Sequence, residues 1–288
     1  SQSKQYNMKK LLLFGALSFS YFSIGQTVGG GVTDIDGNNY PTVIIGDQEW
    51  MSENLRVIRY NNGDSIPNVT PNWEWSVLTT GAFCWYNNDN QYDLEYGKLY
   101  NWFTVVDNRN VCPTGWRVPS DSDWSTFINF LDNSSDSLVN GIESTSAGGM
   151  LKETGLTYWD TPNTGATNSS GFSARSAGSR GSSAFDPTFG TSTLWWSTNE
   201  GQSWVGISRW VTYDSANSGR GFNTKESGFS VRCMKDASGV GLIELNENER
   251  TLIKIVDLMG RETEFKPNTV LIYIYDDGST ERLMKIEE

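Results

Sequence analysis

The chain has 288 residues and a net charge of −12, with 34 Asp and Glu against 22 Lys and Arg, and it has no histidine. An acidic chain without a basic run excludes phosphate-backbone contacts, so nucleic acid is not an expected partner. The missing histidine removes Ser-His-Asp and Cys-His nucleophile pairs, histidine general bases and nearly all zinc sites.

Lys9 and Lys10 precede an apolar run from Leu11 to Ile24, and Ser23 and Gly25 put small residues before Gln26. A charged start, an apolar stretch too short for a membrane anchor and a small-residue cut site predict an N-terminal extension and signal peptide over 1–25. The mature protein is then expected outside the cell with no membrane span. No Cys-x-x-Cys spacing occurs, and no metal site is expected from the motifs.

Asp34-Ile-Asp-Gly-Asn-Asn39 resembles the first half of a calcium loop, but Ile45 stands where the closing glutamate belongs, so the segment reads as a turn. The β-branched run Thr42 to Ile45 predicts a strand, and Gly46 to Trp50 a turn into a second strand. From Tyr96 to Val106, Leu99, Trp102, Phe103 and Val106 share one helical stripe and predict a first helix. Ser120 with Asp123 three residues on is a capping-box pattern, and Trp124, Phe127, Ile128 and Leu131 give the second helix the same stripe. Between Leu131 and Thr193 the chain is rich in Ser, Gly, Asn and Thr and predicts long loops. Strands are expected at Leu194 to Thr198, Ser203 to Tyr213 and Gly228 to Cys233. Two helices with antiparallel strands make an α+β domain.

Several pieces resemble one family: Trp50-Met-Ser-Glu-Asn-Leu55, Gly81 to Asp89, Tyr96-Gly-Lys-Leu-Tyr-Asn-Trp102, Cys112-Pro-Thr-Gly-Trp-Arg-Val-Pro-Ser120 and Gly228-Phe-Ser-Val-Arg-Cys233. Together they are similar to the Fibrobacter succinogenes major paralogous domain, placed here at 26–236. The resemblance implies a C-type-lectin-like fold, close to that of formylglycine-generating enzymes. Three cysteines, Cys84, Cys112 and Cys233, leave three pairings open. The fold resemblance implies a bridge from the end of the first helix to the last strand, Cys112 to Cys233, with Cys84 a buried free thiol.

Formylglycine-generating enzymes use two reactive cysteines near their C-terminal strands, and this chain offers only Cys233 there, so no enzyme is expected. Asp89, Asp93 and Glu95 read as solvated loop acids. Ligand binding is expected of Trp195, Trp204, Trp210 and Tyr213, interleaved with Asn199, Glu200, Arg209, Asn217, Arg220 and Asn223. Aromatic faces suit a sugar ring or a peptide surface, and amides and guanidiniums add directional hydrogen bonds. Strand alternation sends about half of these aromatics inward, Trp196 and Trp204 foremost. The many acids and amides leave calcium possible as a cofactor, although the sugar-and-calcium triplet of C-type lectins is absent. The expected function is a secreted or cell-surface, non-catalytic binding protein for glycan or protein ligands. The alternatives are a structural surface, matrix or adhesin component and, third, a polysaccharide-active enzyme.

The end of the chain runs Leu252-Ile-Lys-Ile-Val-Asp-Leu-Met-Gly-Arg261 and Leu271-Ile-Tyr-Ile-Tyr-Asp-Asp-Gly278. This resembles the C-terminal sorting domain read by the type IX secretion system of Bacteroidetes. The resemblance implies that secretion machinery as a partner and a final location on the outer membrane exterior or beyond. The runs Thr251 to Val256 and Val270 to Tyr275 predict a small all-β sandwich over 242–288, with Asp276-Asp277-Gly278 as a tight turn. Residues 237–241 read as a linker.

Overall fold

A computed structural model describes residues 26–236, 252–266, 268–275 and 280–284. The expected signal segment, the 237–241 linker and the Asp276 to Gly278 turn lie outside the described residues. The chain divides into two compact units with the boundary after Lys235.

In chain order, the first unit contains β1 (Thr27–Val28), β2 (Thr42–Ile45), β3 (Gln48–Met51), β4 (Trp116–Arg117), α1 (Asp121–Leu131), β5 (Gly141–Ser144), β6 (Ser192–Gln202), β7 (Val205–Thr212), β8 (Ser218–Thr224) and β9 (Met234–Lys235). Two antiparallel sheets organise it, β1-β2-β3-β9-β4 and β6-β7-β8-β5. This is a mixed architecture with few helices and many short antiparallel strands.

The predicted first hairpin is present. Val43 and Ile45 point inward, Ile44 outward, and the Ile45–Gln48 pairing leaves Gly46-Asp47 as a two-residue turn. Gly46 at φ +59° supplies the left-handed residue that such a turn requires. Across from it, α1 is capped as its sequence predicts: Ser120 Oγ accepts from Asp123 N–H, and Asp123 Oδ2 accepts from Ser120 N–H. Arg117 holds the same carboxylate with both guanidinium nitrogens, at 2.6 and 2.9 Å. The helix stripe Trp124, Phe127, Ile128 and Leu131 is buried. Trp50 of β3 packs on Trp124 and Phe127 with ring centroids 4.8 and 5.0 Å apart.

The first predicted helix is not a helix over 96–106. Leu99–Tyr100 is a strand paired with Phe83–Cys84, and only Trp102–Val105 makes a single helical turn. Tyr100 exchanges both backbone hydrogen bonds with Phe229, which holds it extended. Asn101 then caps the turn by accepting from Thr104 N–H at 3.1 Å. Leu99 and Trp102 are buried as the stripe required, but by a strand and a turn, while Val106 is exposed. A second correction concerns Gly228 to Cys233, which is not a continuous strand. Gly228, Phe229 and Ser230 bridge singly to Arg180, Tyr100 and Trp195, and ladder pairing resumes only at β9.

The loop-rich stretch from 132 to 191 contains β5 and a short helix, Ala147–Leu151, and is otherwise irregular. Irregular backbone leaves carbonyls without ladder partners, and burying them unpaired is costly. Three buried cations answer this. Lys152 Nζ donates to the carbonyls of Thr164, Thr212 and Ser215 at 2.7–2.9 Å. Arg180 donates to Val69 O, Thr70 O and Asn72 Oδ1, and its guanidinium lies 4.2 Å over the Trp75 ring. Arg232 donates to Met51 O, Phe172 O, Ser173 O and Asn54 Oδ1. Asn54 also accepts from Trp195 Nε1 and donates to Tyr96 O, so the Ser-Glu-Asn-Leu and Ser-Val-Arg-Cys motifs meet in one buried network.

Cys112 and Cys233 form a disulfide with Cα atoms 5.9 Å apart, and Cys84 is a buried free thiol.

The second unit contains β10 (Leu252–Val256), β11 (Val270–Tyr275) and β12 (Thr280–Met284) in one antiparallel sheet ordered β10-β11-β12. The expected two-layer sandwich is therefore a single three-stranded sheet among the described residues. Asp257 closes the turn after β10, accepting from the Met259 and Arg261 N–H groups and pairing with the Arg261 guanidinium. Among the described residues no helix is long and apolar enough to cross a membrane.

Candidate binding groove

The β6–β7 hairpin sorts the predicted binding residues. Trp195 and Trp196 are neighbours on β6, so their side chains point to opposite faces, yet both are fully buried. Trp195 packs on Trp124 and Phe172, and Trp196 packs on Phe229 with centroids 4.4 Å apart. Their indole N–H groups are taken by Asn54 Oδ1 and Tyr100 O, both at 2.9 Å. Trp195 is thus a core residue and presents nothing to a ligand, because β6 is covered on both faces.

Arg209 and Arg220 are also withdrawn from solvent. They stand opposite each other on β7 and β8 and converge on Asp121 at the start of α1. Arg209 Nη1 donates to Asp121 Oδ1 at 2.6 Å, and Arg220 donates to both oxygens through Nε and Nη2. Behind them Glu143 of β5 is buried and lies 2.9 Å from Arg209 Nε, in an ion pair not aligned as a hydrogen bond. Burial opposes ionisation of Asp121, but the Arg220 and Arg209 guanidiniums outweigh it and hold its carboxyl below the usual range. Burial pushes Glu143 up, and Arg209 only partly counters it. These two arginines therefore hold the helix to the sheet and do not face a ligand.

The remaining residues divide between the ends of the hairpin. Tyr213 and Asn217 lie at the β7–β8 turn, with Tyr213 half-buried against the core cluster that includes Trp124 and Trp195. From Val205 to Tyr213 the strand rise separates the ends by about 25 Å. Trp210 lies midway and covers Gly219, whose Cβ would come within 2.1 Å of the ring. Asn199 accepts from the Asp121 N–H at 2.7 Å. The predicted set is therefore not one surface.

What gathers at the other end is a groove of about 580 Å³. One wall is the hairpin tip, with Gln202, Trp204, Phe222 and Asn223. The other is the 179–186 loop, with Ser182 and Asp186, over a floor of Leu194 and Phe229. Trp204 sits in the two-residue turn between β6 and β7 and is 61 % exposed, against the expectation that it points inward. Alternation does not apply in the turn, because the chain is reversing there. Phe222 lies across Gly201, where a Cβ would meet its ring at 2.4 Å. Asn223 Nδ2 donates to Ser208 Oγ at 2.8 Å, fixing the amide at the groove edge. Glu200 pairs with Lys225, whose ammonium also donates to Ser203 O and stands 4.5 Å over the Trp102 ring. Of the predicted residues Trp204 and Asn223 line the groove, with Glu200 beside it.

Sequence reasoning missed Phe222, Asp186 and the 179–186 loop as site elements. Gly201, Gly219 and Gly221 alternating with aromatics were the available signal, since a glycine across a strand pair makes room for a ring. Asp186 carried none, because its loop is brought to the site by bridges between segments distant in the chain, Gly178 with Thr193 of β6 and Arg180 with Gly228.

Chemically the groove offers two exposed aromatic rings, two amides, several hydroxyls and one carboxylate. No curated protein and no solved structure matches the chain. Residues 43–235 match the family model described as the Fibrobacter succinogenes major domain, a span well over half the chain, and the chain belongs to that family.

Proposed function

We propose that this chain is a secreted or surface-displayed binding protein that holds a glycan or protein ligand, without catalysis, in the groove at the β6–β7 tip. The observation that carries this reading is Trp204. A two-residue turn favours small polar residues, and a large ring exposed there has no packing role of its own. Beside it stand Phe222 and the amides of Gln202 and Asn223, the pairing of flat apolar faces with directional hydrogen bonds that sugars and peptide surfaces need. Hydrolysis of a glycosidic bond uses two flanking carboxylates, and the groove lining contains only Asp186.

The C-type-lectin-like fold belongs to the same reading. It is supported by the first and last strands of the unit sharing one sheet and by the disulfide that ties the segment after the Trp102–Val105 turn to the chain beside β9. Export through a signal peptide and the type IX machinery rests on the sequence patterns at the two ends, with calcium as a possible cofactor.

Screening the exported protein against glycans and cell-surface polysaccharides, with and without calcium, tests the proposal. Trp204→Ala is expected to weaken any hit at least tenfold while leaving the thermal midpoint unchanged, because the side chain contributes little to the core. Unchanged affinity in that variant would remove the groove from the reading. Silence across the whole screen would favour a structural surface role.

A further inference from the structure

On the binding role proposed above rests a narrower one: we infer that the groove selects a saccharide bearing a free amino group, with Asp186 holding the ammonium and Trp204 the ring face. The charge inventory of the site leads there. No Lys or Arg lines the groove, and its one carboxylate has no ion-pair partner among the described residues. Asp36, Asp93, Asp107, Asp121 and Asp123 of this domain each hold an arginine or lysine, whereas Asp186 is left for a cation brought by a ligand. The cations adjacent in sequence to the groove are engaged elsewhere. Lys225 is bound to Glu200 and Arg220 to Asp121, while Arg180 is spent on backbone carbonyls and Asn72.

Asp186 is also held in place. Its Oδ2 accepts from Ser179 Oγ at 2.7 Å, its N–H donates to Ser179 O, and its own carbonyl accepts from Tyr86 OH at 2.8 Å. The loop behind it is pinned by the buried Arg180. Oδ1 is left without a hydrogen-bond partner among the described residues, so a fixed, half-buried acceptor faces the groove. An ammonium there gains a charge-assisted hydrogen bond, and a cation near the Trp204 face is further favoured by the ring quadrupole. An acidic sugar would meet an unscreened carboxylate with no free cation to compensate it. The amides and hydroxyls of Gln202, Asn223 and Thr224 suit the hydroxyls of a sugar more than a chain of lysines.

The test is titration of the full exported chain with glucosamine oligomers, N-acetylglucosamine oligomers, galacturonate oligomers and penta-lysine, using wild type, Asp186→Asn and Trp204→Ala. The amino form is expected to bind at least tenfold tighter than the acetylated form and the acidic form weakest. Asp186→Asn keeps the acceptor for Ser179, so it should fold with an unchanged thermal midpoint and bring amino and acetylated forms within twofold of each other. Trp204→Ala should weaken both. Equal binding of amino and acetylated oligomers by wild type, or a preference that survives in Asp186→Asn, overturns the amino selectivity while sugar binding itself stands. No sugar binding by any form overturns the glycan reading of the groove. Penta-lysine binding that is lost in Asp186→Asn, with no sugar bound, reassigns the groove to a basic peptide and overturns the inference.

Discussion

Replacing Cys112 and Cys233 by serine lowers the unfolding free energy by about 4–5 kcal/mol, the chain-entropy value for so long a closed loop. The bridge spans a sequence separation of 121 and joins the segment after the Trp102–Val105 turn to the residue before β9. Domains of this size have total stabilities of about 5–15 kcal/mol, so the loss takes about a quarter of the margin or more. A denaturant midpoint that does not move would show that the packed core alone carries the fold. Thiol counting supplies an independent check. Burial pushes the Cys84 thiol up to about 11, and it is shielded from solvent, so the native protein should not react with a thiol reagent at neutral pH. Unfolded without reductant, it should show one reactive thiol.

Asp121→Ala is the second large effect, expected to cost about 3–5 kcal/mol because it leaves two arginines facing each other with their shared partner gone. Glu143 does not replace it for both, since Glu143 is ion-paired with Arg209 while Arg220 is ion-paired with Asp121. The same cluster sets a pH dependence. The folded protein holds Asp121 and Asp123 below their ordinary value of 3.8, and hydrogen bonds from Ser134 and Ser144 bring Asp132 down to about 2. A carboxylate depressed on folding contributes stability above its unfolded pKa, and that stability is lost as pH falls through the folded one. Glu143, raised by burial, acts in the opposite sense: its contribution falls as pH rises through its folded value. Glu49 and Asp107 are held down as well, so the depressed carboxylates outnumber the raised Glu143, and the urea midpoint should fall as pH drops from about 4 toward 2. Asp121→Ala should show a shallower fall than wild type. Parallel curves for the two would mean that Asp121 is ionised no more readily in the folded chain than in the unfolded one.

Local pattern accounts for what could be read directly from the chain. The Thr42 to Met51 hairpin needed only β-branched alternation and a Gly-Asp turn. The capped helix from Ser120 needed only an i, i+3 polar pair and an apolar stripe. Both are interactions between near neighbours, and neighbours are what a sequence displays. The 96–106 stripe failed for the same reason in reverse: the spacing was helical, but Phe229, more than a hundred residues on, takes both backbone groups of Tyr100 and keeps it extended.

The binding residues show the limit most clearly. Trp195, Trp204, Arg209 and Arg220 look alike in the sequence, as aromatic and cationic residues on or beside strands. Their fates differ because β6 is covered on both faces, which suspends the inside–outside alternation of a half-exposed strand. Arg209 and Arg220 turn inward because a helix start places Asp121 between them, an encounter across some ninety residues. The sequence by itself determined the elements with local signals, the exclusion of histidine chemistry and the family to which the chain belongs. Only the tertiary structure decided which side chains meet water and that Asp186 and Trp204 line one groove, because burial and charge pairing depend on what other segments bring to the same place.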